Sequence, residues 1–515
     1  MSTTAPRSGV LLVAAALSGA AVMTTELTAT RLFAPWFGAS IFAWTNVVAT
    51  VLAALSAGYL FGGRLADRSP RARTLAGVLW AAAALLGVAA AGAPFVAEAL
   101  APVAHGGDPA EDVSRLVLGS AVAAAVTFAP PMFLLGCTSP FVTRLLVDAG
   151  LHGGVAAGRA LAASTAGSLV GAYLPAFVLL DRVGSRGSVL AGAAMLFAAG
   201  LLLYGGGAPR AATAGLATLF AGGVAVAATT PLVRDGGGRP VAERESAYQY
   251  VRVADWTAPD GAKFRNLSLD EGRAEFHSRK ALDGGPLTSA YYDLLATLPD
   301  WIVDAERRPI DALIIGGGAG TLRGLLRALQ GPRVRSVLDV EIDPAVAAFA
   351  PAFGGAPVPP DRTLAADGRV ALRSSTGPFD LVVLDAYTRQ IAIPAHLGTR
   401  ECFAAIKARL SPRGLFAVNV SVADLESPLA LALTRTLRES FDAVWAIPVE
   451  GSWNVALVAG ALAPPRDVPR ARGDALDPVR AEVRRRLIRL DEPPPGAPVL
   501  VDDRAPLEAL ARRIK

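Results

Sequence analysis

Seven long blocks almost free of charge constrain this chain more than any other feature of it. They lie at residues 8–25, 32–63, 74–97, 116–143, 160–180, 187–209 and 211–233. The hydrocarbon core of a bilayer is about 30 Å thick and takes roughly 20 apolar residues of helix to cross. The pattern therefore predicts a multi-pass α-helical membrane domain over residues 1–233, with about seven apolar segments. The first block is not read as a cleaved leader, because six more follow it. Small residues crowd the blocks, as in "LAALSAGYLFGG" and "SLVGAYLPA". Small side chains let membrane helices pack backbone to backbone. The lipid bilayer is the first expected partner.

Arginines give the orientation. The turn "RLADRSPRAR" carries four of them, and "VRDGGGRPVAER" after the last block is also arginine-rich. Both are expected on the cytoplasmic side, with the N-terminus. Seven full crossings cannot put both ends on one side. Block 116–143 contains Pro130-Pro131, so it is expected to fold back as a re-entrant segment or to split into a hairpin. The expected location is a bacterial inner (plasma) membrane, with the soluble part in the cytoplasm. Glu26, in "TTELTATR", closes the first block. A carboxylate there is costly and is a functional candidate by default; the structural alternatives are an interfacial position, or a pair with Arg31 or a nearby hydroxyl.

From Arg234 onward the composition is that of a soluble α/β protein. The chain-wide values, 52% hydrophobic, 18% charged and a mean hydropathy of +0.42, average two regimes. The net charge of +5 is spread over scattered arginines, which gives no nucleic-acid footprint. Cys137 and Cys402 are far apart, and His105, His152, His277 and His396 form no ligand pattern. Neither a disulfide framework nor a metal is expected.

The runs "ESAYQYVRVADW", "FRNLSLDEG" and "AEFHSR" alternate in polarity and predict a small β-sheet subdomain over residues 243–300. "LTSAYYDLLATLPDWI" reads as a helix. Over residues 301–515 strands alternate with helices. The strands are "DALIIG", "RSVLDVEID", "TLAAD", "FDLVVLDA" and "GLFAVNV". The helices between them are "TLRGLLRALQ", "PAVAAFAPAF", "GRVALRSS" and "TRECFAAIKARL", and "SPLALALTRTLRESF" follows the fifth strand. Apolar strands of this kind imply a buried parallel sheet. Two more strands, "AVWAIPV" and "NVALVAG", are joined by "EGSWN" into an antiparallel hairpin. The fold class is an α/β methyltransferase-like (Rossmann-like) doubly wound sheet with a C-terminal tail. Such sheets bind ligands at the carboxyl ends of their strands.

Gly316, Gly318 and Gly320 stand between the first strand and its helix, where a nucleotide cradle belongs. Alone they fit dinucleotides as well as other adenosine ligands. Glu341 ends the second strand, 21 residues after Gly320, where a carboxylate hydrogen-bonds a ribose diol. Asp367 ends the third strand, placed to accept from an adenine amino group. The closing hairpin belongs to methyltransferase-like sheets more than to NAD domains. Together these features favour an adenosyl sulfonium such as S-adenosylmethionine. Asp385 ends the fourth strand, facing the reactive carbon of such a donor. A sulfonium already activates its neighbouring carbon, so the protein needs to supply alignment and a proton acceptor for an amine nucleophile.

With these residues in place, the chain resembles the spermidine synthase (polyamine aminopropyltransferase) family, in its membrane-fused bacterial branch. The resemblance covers about residues 243–508. "ESAYQ" resembles the family's opening strand, which implies that Gln249 contacts the donor. "AYYD" resembles the Tyr-x-Glu block, which puts Tyr291 in the catalytic tyrosine's place and Asp293 in that of the glutamate, on the substrate side. "IIGGGAG", "VEID", "ADG" and "LDAY" follow in family order. This implies Glu341 on the ribose, Asp367 near the adenine, Asp385 as general base and Tyr387 toward the substrate. "LVDDRAPLE" near the C-terminus also looks like the membrane-fused branch. Two departures stand out: Ala319 replaces the acid that holds the donor's aminopropyl ammonium, and Thr388 replaces a second acid that holds the polyamine. Each such charge-assisted hydrogen bond is worth roughly 1.5–3 kcal/mol. Polyamine recognition is therefore expected to be weak, and S-adenosylmethionine itself joins its decarboxylated form as an expected donor. Arg323 and Arg389 are the candidate partners for its carboxylate.

The function expected from this is a membrane-anchored transferase that releases methylthioadenosine and alkylates a small amine or other acceptor. One alternative is a methyltransferase or an S-adenosylmethionine-cleaving lyase. Another is a transporter or sensor with an adenosyl-binding domain. A homodimer is the assembly considered.

Overall fold

The computed structural model describes residues 8–37, 41–101, 109–204, 210–230, 232, 238–269, 276–306, 308–387, 393–422, 424–461, 474–507 and 510. His105, Val233, Arg234, Thr388 and Arg389 lie outside the described residues. The chain divides into two units. One comprises Met1–Gly236, Glu243–Val251 and Leu269–Ala274; the other comprises Gly237–Ala242, Arg252–Ser268 and Glu275–Lys515.

The first unit holds the apolar helices: α1 (Ser8–Phe37), α2 (Ile41–Arg68), α3 (Ala72–Leu100), α4 (Pro109–Gly136), α5 (Thr138–Asp148), α6 (Gly153–Leu174), α7 (Leu180–Tyr204) and α8 (Arg210–Thr229). Five stretches among the described residues are long and apolar enough to cross a membrane: Ser8–Phe37, Phe42–Arg68, Ala72–Leu100, Val117–Asp148 and Gly153–Tyr204. The fifth has 52 residues, about 78 Å of helix at 1.5 Å per residue and too long for one crossing. It divides at Gly184, whose φ of 67° is non-helical. Helix pairing follows the small residues. A Cβ at Gly167 would run into the Ala16 carbonyl, and one at Gly171 into that of Ala20. These glycines let α1 and α6 meet at their backbones.

The proline pair does not do what was expected of it. Helix α4 runs through Pro130 and Pro131, and α5 follows after the single residue Cys137, whose φ of −66° and ψ of −19° are still helical. Phe128 and Met132 around the pair are fully buried. Packing on both sides holds the turn whose hydrogen bonds the prolines forfeit. Glu26 is half-buried within α1. Arg31 turns its guanidinium to the carbonyls of Ser246, at 2.5 Å, and Tyr248.

The small sheet consists of β1 (Arg239–Glu245), β2 (Tyr250–Thr257), β3 (Lys263–Leu269) and β4 (Ser278–Ala281), with β3 and β4 antiparallel. The segment expected as one helix over 287–302 is two, α9 (Tyr291–Leu295) and α10 (Leu298–Glu306). Pro299 has no N–H with which to continue α9, but it costs nothing in the first turn of α10.

The second unit is built on a sheet of eight strands in the order β12-β10-β11-β9-β8-β5-β6-β7. The strands are β5 (Ile310–Ile315), β6 (Val334–Glu341), β7 (Arg362–Ala365), β8 (Phe379–Leu384), β9 (Leu410–Ser421), β10 (Val444–Pro448), β11 (Asn454–Gly460) and β12 (Ile488–Arg489). The helices are α11 (Thr321–Leu325), α12 (Pro344–Ala347), α13 (Gly368–Ser374), α14 (Arg400–Lys407), α15 (Pro428–Arg438) and α16 (Asp477–Arg486). β5, β6, β7, β8 and β9 run parallel; β11 is antiparallel to β9, and β10 to β11 and β12. The sheet is mixed, with the expected closing hairpin. Alternate residues of each strand feed two cores. Leu313, Val382, Phe416 and Leu457 fill one, and Ala312, Leu381, Leu415 and Ala456 the other. Helix 344–353 is shorter than expected: α12 gives way to a 3₁₀ turn, Ala350–Phe353, at Pro351. Asp343, Asp367, Thr399 and Ser427 cap α12, α13, α14 and α15 with their side chains.

Candidate active site

Strand order reverses beside β5, with β6 and β7 on one side and β8 and β9 on the other. In sheets of this kind ligands bind at that switch point, at the carboxyl ends of the strands. Register then selects the residues around it. Ile315 pairs with Leu384, and Leu384 with Val418. The next residue on each strand is Gly316, Asp385 and Asn419, so these three come level at the rim.

The glycine turn is close-fitting. Gly316 has φ 87°, and a Cβ there would lie 2.5 Å from the Asp385 carbonyl oxygen and 2.6 Å from the Ala386 nitrogen. Gly318 has φ 54°, and its Cβ would lie 2.7 Å from Ser278 Oγ. Ser278, at the start of β4, accepts from the Ala319 N–H at 2.9 Å, so β4 closes over the turn. Gly320, φ 75°, precedes α11. Glu341 Oε2 accepts from the Gly318 N–H at 2.9 Å and Oε1 from the Asp343 N–H at 3.0 Å. Burial pushes the Glu341 carboxyl up against those two hydrogen bonds. Each oxygen keeps a lone pair, enough to receive a diol.

Asp385 is the centre of the polar groups. Its Oδ2 accepts from the Tyr291 hydroxyl at 2.8 Å and its Oδ1 from Asn419 Nδ2 at 2.9 Å. Burial pushes its carboxyl up to about 7, while the hydrogen bonds from Asn419 and Tyr291 pull it back. The Tyr291 phenol is pushed well above its ordinary value by burial and by the Asp385 charge, so it stays a donor. The rings of Tyr291 and Tyr292 lie 4.1 Å apart, and the Tyr292 hydroxyl donates to the His277 carbonyl at 2.8 Å.

Other anticipated residues are placed differently. The Asp293 carboxylate takes the N–H and hydroxyl of Thr288 and the N–H of Ser289, so it braces the turn that delivers Tyr291. Tyr387 is half-buried. Gln249 belongs to the first unit, in a turn where the Ser246 N–H donates to its carbonyl at 3.0 Å. Arg323 is not available to a donor's carboxylate. Its side chain is 1% exposed, paired with Asp339 at 2.6 Å, and it also binds the Gly355 carbonyl and Thr363 Oγ1. It lies under the cradle because its α11 position faces the sheet. Asp367 Oδ1 caps α13, and its Oδ2 meets His396 Nε2 at 2.8 Å. Burial raises the Asp367 carboxyl, but the hydrogen bonds from His396, Val370 and Arg369 outweigh it and hold it below its usual range. Sequence reasoning missed Asn419, Ser278 and His396. A polar Asn near the end of an apolar strand was the one signal it had for Asn419.

No family model matches the chain. The chain is 27% identical over 288 residues to a "Probable polyamine aminopropyl transferase" from Bifidobacterium longum, covering 52% of this chain and 61% of that protein. The match thus spans about six-tenths of that relative's length. The chain is 28% identical over 485 residues to the "Polyamine aminopropyltransferase" of Mycobacterium tuberculosis, covering 87% of this chain and 85% of that one. A match that broad takes in most of the apolar half as well. A solved structure of a probable spermidine synthase from Corynebacterium glutamicum aligns with a TM-score of 0.39 and 18% identity, over 52% of this chain and 96% of that one. By these sequence matches, the chain is similar to polyamine aminopropyltransferases.

Proposed function

We propose that this protein is a membrane-anchored transferase that moves an alkyl group from an adenosyl sulfonium donor to a small amine and releases methylthioadenosine. The observation that carries the reading is the Tyr291–Asp385–Asn419 cluster set level with the Gly316 turn. A base with a pKa near 7 suits proton transfer at neutral pH. In the step envisaged, Asp385 orients the acceptor amine toward the CH₂ carbon of the donor that is bonded to sulfur. The amine nitrogen forms the new C–N bond with its lone pair. The C–S bond breaks, both its electrons stay on sulfur, and the neutral thioether leaves. The proton of the new ammonium passes to Asp385. Tyr291 and Asn419 hold the carboxylate in place, Glu341 takes the ribose diol and Asp367 the adenine amino group. Asp293 and Tyr387 complete the set implied by the family, with Asp293 acting through the turn it braces.

Residues 1–233 serve as the membrane domain, residues 243–300 as the β-subdomain and residues 301–515 as the catalytic domain, on the cytoplasmic side where the donor is made. Apolar side chains exposed on the helices, such as Leu60 at 69% and Phe177 at 75%, suit contact with lipid. Donor choice shifts toward the decarboxylated form, since Arg323 is already paired with Asp339. Ala319 is fully buried and offers the donor's ammonium no charge, and Thr388, in place of the acid that holds the polyamine, should make putrescine a poor acceptor. Calorimetric titration of the full chain in detergent tests the reading. The protein should bind methylthioadenosine and adenosyl donors and ignore NAD. Preference for NAD would overturn the proposal.

A further inference from the structure

Residues 500–507, "LVDDRAPL", are remote in sequence from the strand ends described above, yet Asp502 is paired with Arg369 at the start of α13. Leu500 and Leu507 anchor it in the core, 0% and 2% exposed. Arg400 donates its N–H to the Leu500 carbonyl at 2.8 Å, and the Leu500 N–H donates to Thr436 Oγ1 at 2.9 Å. Between the anchors, Asp502 grips Arg369 at both ends, NH1 to Oδ1 at 2.6 Å and NH2 to Oδ2 at 2.7 Å. Thr399, the cap of α14, donates to the same carboxylate at 2.7 Å. The Asp502 N–H is held by Glu401 Oε2 at 3.1 Å.

Arg369 passes this restraint on. Its side chain is 13% exposed, and its NH1 also donates to the His396 carbonyl at 2.9 Å. His396 stands in the 3₁₀ turn Ala395–Leu397, and its ring meets Asp367 Oδ2. That turn sits tightly. A Cβ on Gly398 would lie 2.7 Å from Leu507 Cδ1, and one on Gly368 would run into Ile315 at the end of β5. A bidentate arginine–carboxylate pair fixes direction as well as distance. The chain of contacts Asp502, Arg369, His396, Asp367 therefore has little slack.

We propose that Asp502 is a positioning residue of the donor site: through Arg369 and the His396 turn it sets the direction of the Asp367 carboxylate, and so the selection of a purine bearing a 6-amino group. This rests on the reading of Asp367 as the group facing the adenine. It gives the tail a part in ligand selection in addition to its packing.

The test uses the full chain in detergent and two probes, methylthioadenosine and the same thioether of purine riboside, which lacks the 6-amino group. Wild type should prefer methylthioadenosine. Asp502→Asn should melt within a few degrees of wild type, and its preference between the probes should shrink by about 3–10-fold, part of the worth of one hydrogen bond to a charged group. His396→Ala, at a half-exposed side chain, should shrink it equally, and the double variant should be no worse than either single one. Asp502→Glu should restore part of the preference. Unchanged preference in a folded Asp502→Asn protein, or in His396→Ala, would overturn the positioning role while leaving the adenosyl reading in place. Wild type that bound neither probe would overturn both.

Discussion

Asp385 receives hydrogen bonds from two neutral donors, Tyr291 and Asn419, and from no cation among the described residues. That explains the direction of its shift: burial penalises the charged form, and two neutral donors recover only part of the loss. The sign of the consequence follows. The base form is scarce below about pH 7 and dominant above it, so kcat/KM should rise about tenfold per pH unit up to about 7 and then level off. Asn419→Ala removes a bond to the charged form and should move that break to higher pH by roughly one unit. A break that stayed in place would show that Asn419 does not act on Asp385. Asp385→Asn keeps the shape and removes the proton acceptor, and should lower turnover by about 10²–10⁴-fold. Full activity in that variant would make Asp385 structural. Asp385 and Glu341 were legible in the sequence because each ends an apolar strand. Asn419 was not, because its partner depends on which strand lies beside β8 and in what register. His396 was not, because a lone histidine in a loop carries no spacing signal.

The buried Arg323–Asp339 pair joins α11 to β6 beneath the cradle. Burial pushes the Asp339 carboxyl up to about 7 even with Arg323 beside it. Arg323→Ala would leave that carboxylate buried without its partner, a loss of roughly 3–5 kcal/mol. Replacing both, Arg323→Met with Asp339→Leu, should cost much less. Thermal melting of the full chain separates these outcomes, and equal losses in the two proteins would remove the pair from the account. The strands of the second unit were readable because their apolar runs are bounded by Gly, Pro and Asp. The helical pattern at 287–302 and 344–353 continues across Pro299 and Pro351, where the backbone hydrogen bonds do not, so the observed helices are shorter than the pattern. The edge strand β12 went unseen, since two residues carry no periodicity. In the first unit the blocks were legible by length, but Pro130-Pro131 pointed to a break that packing around Phe128 and Met132 prevents.

At the scale of the molecule, the similarity to the Mycobacterium tuberculosis polyamine aminopropyltransferase runs over 87% of the chain and so takes in most of its apolar residues as well. If residues 1–233 anchor the protein, it should stay with membranes through an alkaline wash and leave them only in detergent. Release by the wash would contradict the anchor. Reporter fusions after residue 233 should be active on the cytoplasmic side, because Arg239 and Arg244 prefer it. The proposed reaction is tested by the identity of its products. Purified full chain in detergent would be incubated with S-adenosylmethionine or its decarboxylated form and a panel of small amines, and the products separated. The proposed transfer should give methylthioadenosine and an alkylated amine in equal amounts, both lost in Asp385→Asn. S-adenosylhomocysteine as the product, or a donor left intact by the wild-type protein with every acceptor, would contradict it.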